Sequence, residues 1–520
     1  MHLTASIKRA MVIAANKVAT IDGERVHTWA ECGERVARLA GALQDELRLA
    51  DGGRAAILSL NNDRYFEFSH AMPWAGGVFV PVNTRLAPPE IRYWLEDSGS
   101  ELLFVDDTFA AVASDLKAEL PELRELIYIG DGETPAGMAN YEELVAAAGP
   151  AEDAVKGYDD LAALYYTGGT TGTSKGVMLS HRNLVSNALH IVPIFDFHEG
   201  MRWLHAAPMF HIADGLSIFG ATMVGGHHIF ISGFEPGVVL RAIEEHRITN
   251  CLLVPTMVNM LVHHPEIEAH DLSSLRRLVY GASPMPEAVI RRAVEVMPHV
   301  EFTHAYGQTE CAPLVTSNGP DAHRGEGLER GLFKSCGRPV MDVEVKIVDE
   351  AGAEVGRGAV GELCARGPNV MLGYWNKPEQ TAEALREGWM HSGDGAYMDE
   401  DGYVYIVDRV KDMIITGGEN VYSAEVESTV HLHPAVAECA VIGVPDDTWG
   451  ERVHAVVRLK AEAEASADEI VAHCHQHIAG FKCPRSVEIR SEPLPLSGAG
   501  KILKTELRKP HWEGEEKQVH

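Results

Sequence analysis

The segment Tyr166-Thr167-Gly168-Gly169-Thr170-Thr171-Gly172-Thr173-Ser174-Lys175-Gly176 combines glycines, a run of hydroxyls and one lysine. Glycines let backbone N–H groups converge on an anion, the hydroxyls add neutral donors, and Lys175 adds a fixed positive charge. The chemistry this favours is a grip on phosphate. It is not the common nucleotide P-loop, which places Gly directly before Lys and Ser or Thr after it. Here Ser174 precedes the lysine and Gly176 follows it. A flexible Gly/Thr linker is the plainer reading, but linkers seldom carry a lone lysine between two apolar runs.

Two further groups offer matching chemistry. Tyr306-Gly307-Gln308-Thr309-Glu310 supplies an aromatic face, a hydroxyl and a carboxylate within five residues. That set suffices to stack a base, touch a phosphate and hold Mg²⁺. Trp389-Met390-His391-Ser392-Gly393-Asp394 ends in a carboxylate on a tight turn, suited to ribose hydroxyls. Each taken alone is also ordinary turn chemistry.

The elements that must position these groups follow from hydrophobic patterning. Leu161 to Tyr165 and Val177 to Leu179 read as short apolar strands, so the phosphate loop crosses a hairpin. Ala55 to Leu60, Val78 to Val82 and Leu102 to Val105 read as buried strands, with helices over Asp63 to Ala75 and Pro88 to Ser98. Strand–helix alternation implies βαβ units and a largely parallel sheet, continuing to about residue 345. Asp342 to Val348 and Gly402 to Val407 alternate apolar and polar residues, as half-exposed antiparallel strands do. Beyond Asp408 lies a compact unit with strands at Glu438 to Val444, His454 to Leu459 and Ser486 to Ile489. Ser466 with Glu469 opens a helix there as a capping box. The charged run Asp408-Arg409-Val410-Lys411-Asp412 reads as a linker. The expected fold is therefore α/β: a large N-terminal domain, 1–410, of βαβ sheets with a β-rich subdomain, then a small mobile α+β domain, 411–520.

With 520 residues, 46% hydrophobic and 23% charged, the chain has the composition of a multidomain globular protein. A net charge of −30 disfavours broad contact with nucleic acid or an anionic membrane. Screening over about 8 Å leaves local cations in control of an ATP-like ligand. The eight cysteines form no CxxC pair, as expected of reduced, buried thiols in a cytoplasmic protein. No apolar run reaches the length of a membrane span.

In order and spacing, the loop, Tyr306 to Glu310, Ser392-Gly393-Asp394, Asp408 to Asn420 and Pro495-Leu496-Ser497-Gly498-Ala499-Gly500-Lys501 resemble the adenylate-forming superfamily of acyl- and aryl-CoA synthetases, peptide-synthetase adenylation domains and beetle luciferases. The resemblance runs from about Thr28 to Arg508. It implies that a carboxylate attacks the α-phosphate of ATP, giving acyl-AMP and pyrophosphate, and that a thiol then captures the acyl group. It also implies the site roles. Thr167, Thr170, Thr171, Ser174 and Lys175 would hold the pyrophosphate portion, Glu310 the Mg²⁺, and Thr309 the α-phosphate. Tyr306 would stack on adenine, backed by Gly281-Ala282-Ser283, while Asp394 and Arg409 fix the ribose. Lys501 would reach the reacting carboxylate and α-phosphate, then leave as the small domain rotates about Lys411. Gly417, Gly418 and Glu419 would line the path of coenzyme A.

His211, in Pro208-Met209-Phe210-His211, falls where the family places its acyl-pocket wall. The small residues Gly215, Gly220, Ala221, Gly225 and Gly226 are expected to leave room beside it. Segments around Val80 to Leu86 and Gly361 to Gly367 look most like fatty-acyl and hydroxycinnamoyl ligases, and a medium- or long-chain fatty acid is favoured over an aryl acid. Coenzyme A is the expected acceptor, and a homodimer is carried as an expectation. Two rivals remain: a luciferase-like oxygenase and a non-catalytic adenylate-binding regulator. Lys504 stands where relatives often carry arginine, which bears on local phosphate geometry. His473-Cys474-His475-Gln476-His477 lacks a second ligand pair at structural-zinc spacing and reads as an ordinary helix. His227-His228 and His263-His264 read as loop or surface residues.

Overall fold

The computed structural model describes residues 2–167, 174–283, 285–409, 412–416, 419–446, 448–461, 463–496 and 502–512. Strands too apolar to show a polar face must be covered on both sides, and helices do this here. All four residues of Val78–Pro81 are buried, as are four of the five in Arg54–Leu58. These strands lie parallel within an eight-stranded sheet running Gly373–Tyr374, Lys175–Ser180, Leu161–Thr167, Val78–Pro81, Arg54–Leu58, Leu102–Val105, Glu125–Tyr128 and Ala139–Asn140. Helix Pro88–Ser98 starts on proline and stops at Gly99, whose φ of 61° suits glycine.

A second sheet, nine-stranded among the described residues, carries the central parallel strands Arg202–His205, Asn250–Leu253, Arg277–Gly281 and Glu301–Gly307. One apolar core joins the two sheets. Trp29, Phe66, Phe79, Phe104, Trp203 and Phe219 are all within 1% of complete burial, and each such side chain contributes about 1.5–3 kcal/mol.

The change of pattern expected near residue 345 is present. Glu344–Val348, Gly361–Arg366, Trp389–Met398 and Val404–Arg409 form an antiparallel five-stranded sheet with Leu385–Arg386. Asp408 and Arg409 are the end of its last strand, which corrects the reading of this charged run as linker from its first residue. Strand pairing to Asp394 and Gly395 holds them. Residues 410 and 411, where the domain boundary is expected, lie outside the described residues. From Ile414 onward the chain builds a separate core, including Val426, Val441, Val453 and Ile470, around a further five-stranded sheet. Its helix Ala467–His475 begins with the Ser466–Glu469 capping box. All eight cysteines are free and buried. No described helix is long and apolar enough to cross a membrane.

Candidate active site

Leu161–Thr167 and Lys175–Ser180 pair antiparallel, with Thr167 opposite Lys175 as the last pair before the tip. The described flanks of the loop are thus two paired strands rather than a strand and a helix. Thr170 and Thr171 lie outside the described residues. Its base is held firmly: Tyr166 stacks on Trp94 at 4.9 Å and donates to Asp97 at 2.7 Å, and the Tyr93 hydroxyl donates to the Ser174 carbonyl at 3.1 Å. Gly176 is required by close packing, since a Cβ there would lie 3.0 Å from the Tyr166 ring and 3.3 Å from the Trp375 Cβ.

The carboxyl ends of the parallel strands Arg277–Gly281 and Glu301–Gly307, the usual ligand position in such sheets, lead into the residues expected to hold the nucleotide. Gly281 lies opposite Ala305, and any side chain at Gly281 would meet the Ala305 carbonyl at 2.2 Å. Ala282 bends the chain with a φ of 69° just after the strand, and Ser283 continues the bend. Tyr306 donates to Asp394 Oδ2 at 2.6 Å. Burial first, then the Asp394 carboxylate, pushes its phenol well above the ordinary value, so it stays a neutral donor. The structure thereby joins the expected adenine and ribose residues, 88 positions apart.

Asp394 is aimed by its own turn. Gly393 has a φ of 70° and donates its N–H to Glu362 Oε1 at 3.0 Å, while the Asp394 N–H donates to Ser392 Oγ at 3.1 Å. Arg409 lies directly across the strand pair from Asp394. Thr309 and Glu310 sit on a short 3-10 turn, Thr309–Cys311. Buried Asn369 braces that turn by donating to the Cys311 and Leu314 carbonyls, both at 2.8 Å.

One residue absent from the sequence reading completes this corner. Tyr374 donates its hydroxyl to Glu310 Oε1 at 2.8 Å, and its ring lies 4.7 Å from the Lys175 ammonium. Strand Gly373–Tyr374 pairs with Val177 and Met178 beside the hairpin, which places the ring there. The available signal was an aromatic pair after glycine, Gly373-Tyr374-Trp375, with no spacing rule tying it to the loop. A half-buried carboxylate beside a lysine suits Mg²⁺, which takes oxygen ligands from one or two carboxylates plus substrate phosphates. Gln308 Nε2, two residues before Glu310, is a buried donor without a partner among the described residues.

On the acid side, His211 caps helix Ile212–Val224 by accepting from the Ala213 N–H at 3.3 Å. The expected room beside it is taken up by packing. A Cβ on Gly215 would lie 2.7 Å from the Met209 carbonyl and 2.9 Å from the Tyr165 hydroxyl. A Cβ on Gly220 would meet Ile191 at 2.7 Å, and one on Gly226 would meet Met201 at 2.9 Å. These glycines serve close helix packing.

The histidines behind this helix correct another expectation. His228 is fully buried rather than a surface residue. A continuous chain links Asp214 to His205 at 2.7 Å, His205 to His228 at 2.9 Å, and His228 through Thr222 to His70. Burial holds the His228 imidazole well below its usual pKa and lowers His70 to about 3, so both are neutral. His263 is exposed as expected. His477, in the turn after helix Ala467–His475, has its Nδ1 at 2.8 Å from the His473 carbonyl.

Lys411, Gly417, Gly418 and Lys501 lie outside the described residues, and for Arg409 and Glu419 only the backbone strands are described. Lys504 is engaged structurally: its ammonium pairs with half-buried Glu427 at 2.7 Å and donates to Ser423 Oγ.

Comparison with known proteins identifies the family. Residues 8–375 match the model of the AMP-binding enzyme family and residues 425–501 that of the AMP-binding enzyme C-terminal domain. A feruloyl-CoA synthase of Amycolatopsis sp is 41% identical over 506 residues, 97% of both chains. A medium/long-chain-fatty-acid–CoA ligase of Mycobacterium tuberculosis is 35% identical over 520 residues, covering 96% of this chain and 88% of that one. A crystal structure of an anthranilate CoA ligase with anthranoyl-AMP superimposes with a TM-score of 0.91 at 29% identity, over 98% of this chain and 97% of the other.

Proposed function

The chain belongs to the AMP-binding enzyme family and is an AMP-forming acid–thiol ligase using ATP and coenzyme A; from that premise we propose that its acid is an aryl acid of the hydroxycinnamate type. The observation that carries this reading is the packing of Gly215 and Gly220. Helix Ile212–Val224 is closed against Met209, Tyr165 and Ile191, which favours a compact planar acid over a long flexible chain. The 41% identity to a feruloyl-CoA synthase supports the same choice. A medium- or long-chain fatty acid is the second reading, favoured by the 35% identity to a fatty-acid ligase.

In the proposed reaction an acid oxygen attacks the α-phosphorus of ATP and the bond to pyrophosphate breaks. The coenzyme A sulfur then attacks the acyl carbon, and AMP leaves. Two anions must meet in the first step, so placed cations and orientation lower its barrier. Thr167, Thr170, Thr171, Ser174 and Lys175 grip the leaving pyrophosphate. Tyr374 keeps Lys175 and Glu310 in register. Tyr306, with Gly281, Ala282 and Ser283, holds adenine, while Asp394 and Arg409 take the ribose. Glu310 would hold Mg²⁺, whose charge screens the phosphates when bound. Thr309 contacts the α-phosphate, and Lys501 meets the developing charge. His211 borders the acid, and Gly417, Gly418 and Glu419 border coenzyme A after the small domain turns about Lys411.

Exchange of labelled pyrophosphate into ATP, run with ferulate, cinnamate, benzoate, octanoate and palmitate, tests the substrate class. The aryl reading expects kcat/KM for ferulate or cinnamate at least tenfold above either fatty acid. The reverse order establishes the second reading.

A further inference from the structure

We propose that His454, Glu488 and His511 form a binding site for a divalent transition-metal ion of the zinc type in the C-terminal unit, built from residues other than those expected to hold the nucleotide. The three residues come from three elements: strand Gly450–Leu459, strand Ser486–Arg490 and the last described helix, Lys504–Trp512. One ligand atom from each lies within 4.8 Å of the other two.

The strand register builds the first two ligands. His454 pairs with Ser486 across the parallel strands, so the His454 Nδ1 bonds Ser486 Oγ at 2.7 Å. With Nδ1 carrying the proton toward Ser486, Nε2 presents a lone pair, the arrangement that outer hydrogen bonds impose on metal-ligating histidines. That Nε2 is buried and has no hydrogen-bond partner among the described residues, on a residue only 6% exposed. A buried acceptor left unpartnered is costly, and an ion would satisfy it. Two residues along the strand from Ser486, Glu488 brings Oε2 to 3.9 Å from the same Nε2, while Arg490 engages its other oxygen, Oε1, at 3.4 Å.

The third ligand comes from the helix. Trp512 donates its indole N–H to the Gly443 carbonyl at 3.1 Å, pinning the helix end onto the strand beside Ile442, the antiparallel partner of His454. The preceding residue, His511, then stands with its ring centroid 4.9 Å from that of His454. Two imidazoles and one carboxylate suit zinc, nickel or copper far better than magnesium or calcium. Glu488 is half-exposed, which leaves a route for the ion from solvent. Tetrahedral bonds of about 2.1 Å place ligand atoms about 3.4 Å apart, so closure requires side-chain rotations only.

The test uses the full chain stripped of metal. Zn²⁺ is titrated in competition with a chromophoric chelator, and Co²⁺ is added in parallel to read the ligand field. The wild type is expected to hold one equivalent whose affinity falls at least tenfold in both His511→Ala and Glu488→Gln, with the Co²⁺ spectrum altered in each. Cys364→Ser, which alters another grouping of candidate ligands, Glu362, Cys364 and His391, should leave that equivalent unchanged. Zn²⁺ should raise the melting temperature of the wild type and not of His511→Ala. His511 lies in the last turn of the final described helix, where its loss is expected to leave the fold intact. Unchanged affinity in His511→Ala and Glu488→Gln, or loss of the equivalent in Cys364→Ser alone, would overturn the assignment.

Discussion

The Tyr374 hydroxyl donates to Glu310 Oε1 at 2.8 Å, and this one bond ties the proposed metal-binding carboxylate to the base of the phosphate hairpin. The Tyr374 ring beneath Lys175 extends the tie to the lysine. Removing the hydroxyl while keeping the ring separates the two contacts. Tyr374→Phe is expected to raise the KM for Mg·ATP and cut kcat/KM about tenfold, the scale of a hydrogen bond to a charged group. Tyr374→Ala should lose more, because Lys175 then loses its aromatic support as well. Pyrophosphate exchange at varied ATP measures both, and a silent Tyr374→Phe would refute the link.

Lys501→Ala is expected to lower adenylation by about 10²–10³, the usual effect of losing one transition-state donor. Thioester formation from supplied acyl-AMP should largely survive, since the proposed rotation removes this lysine before the second half-reaction. The two half-reactions are assayed separately, by pyrophosphate exchange and by thioester release. Equal losses in both would dismiss the rotation.

At Gly215 the packing itself is open to test. Gly215→Ala places a methyl 2.7 Å from the Met209 carbonyl and 2.9 Å from the Tyr165 hydroxyl. Overpacking of this kind costs about 1–3 kcal/mol, of which alanine's better helix propensity recovers up to about 1. A lower midpoint in chemical denaturation is expected, with a selective loss in kcat/KM for the bulkier acids. A stabilised protein with unchanged selectivity would show that the helix has room to shift.

Acid should destabilise the fold through its buried histidines. His70 is lowered to about 3, and His181 and His323 to about 4, chiefly by burial. Unfolded, each takes up a proton near pH 6.5; folded, only near pH 3–4. Between those values the unfolded chain binds more protons, so stability is full above pH 6.5 and falls as pH drops toward 4. Asp22, raised to about 6 by burial and then Asp63, acts in the opposite sense between about pH 4 and 6. Melting temperature measured against pH for the wild type and His323→Gln resolves the contribution: the variant's slope between pH 6.5 and 4.5 should be shallower.

Much of the architecture was legible before any coordinates. Helix Pro88–Ser98 and strand Leu102–Val105 fall where proline, glycine and apolar runs place them. The hairpin flanking the phosphate loop and the Ser466 capping box were equally local signals. The errors have a common cause. His228 looks like a surface residue because histidine is polar, yet it belongs to a strand covered on both faces and finds its partners in His205 and Thr222. Asp408 looks like linker because its neighbours are charged, yet strand pairing to Gly395 claims it.

What the sequence by itself determined is the kind of chemistry: glycines, hydroxyls, lysine and carboxylates in an order that specifies phosphate handling, together with the alternation that builds the sheets. These are local or ordered signals, carried by residue type and spacing. Only the tertiary structure decided which groups touch. Tyr374 with Glu310, Tyr306 with Asp394, and His454 with His511 are separated by 64, 88 and 57 positions. Gly215 reads as open space in one dimension and is filled by Tyr165 in three. Contacts at such separations depend on how sheets and helices pack, and no pattern along the chain encodes the distance between two side chains brought together by different strands.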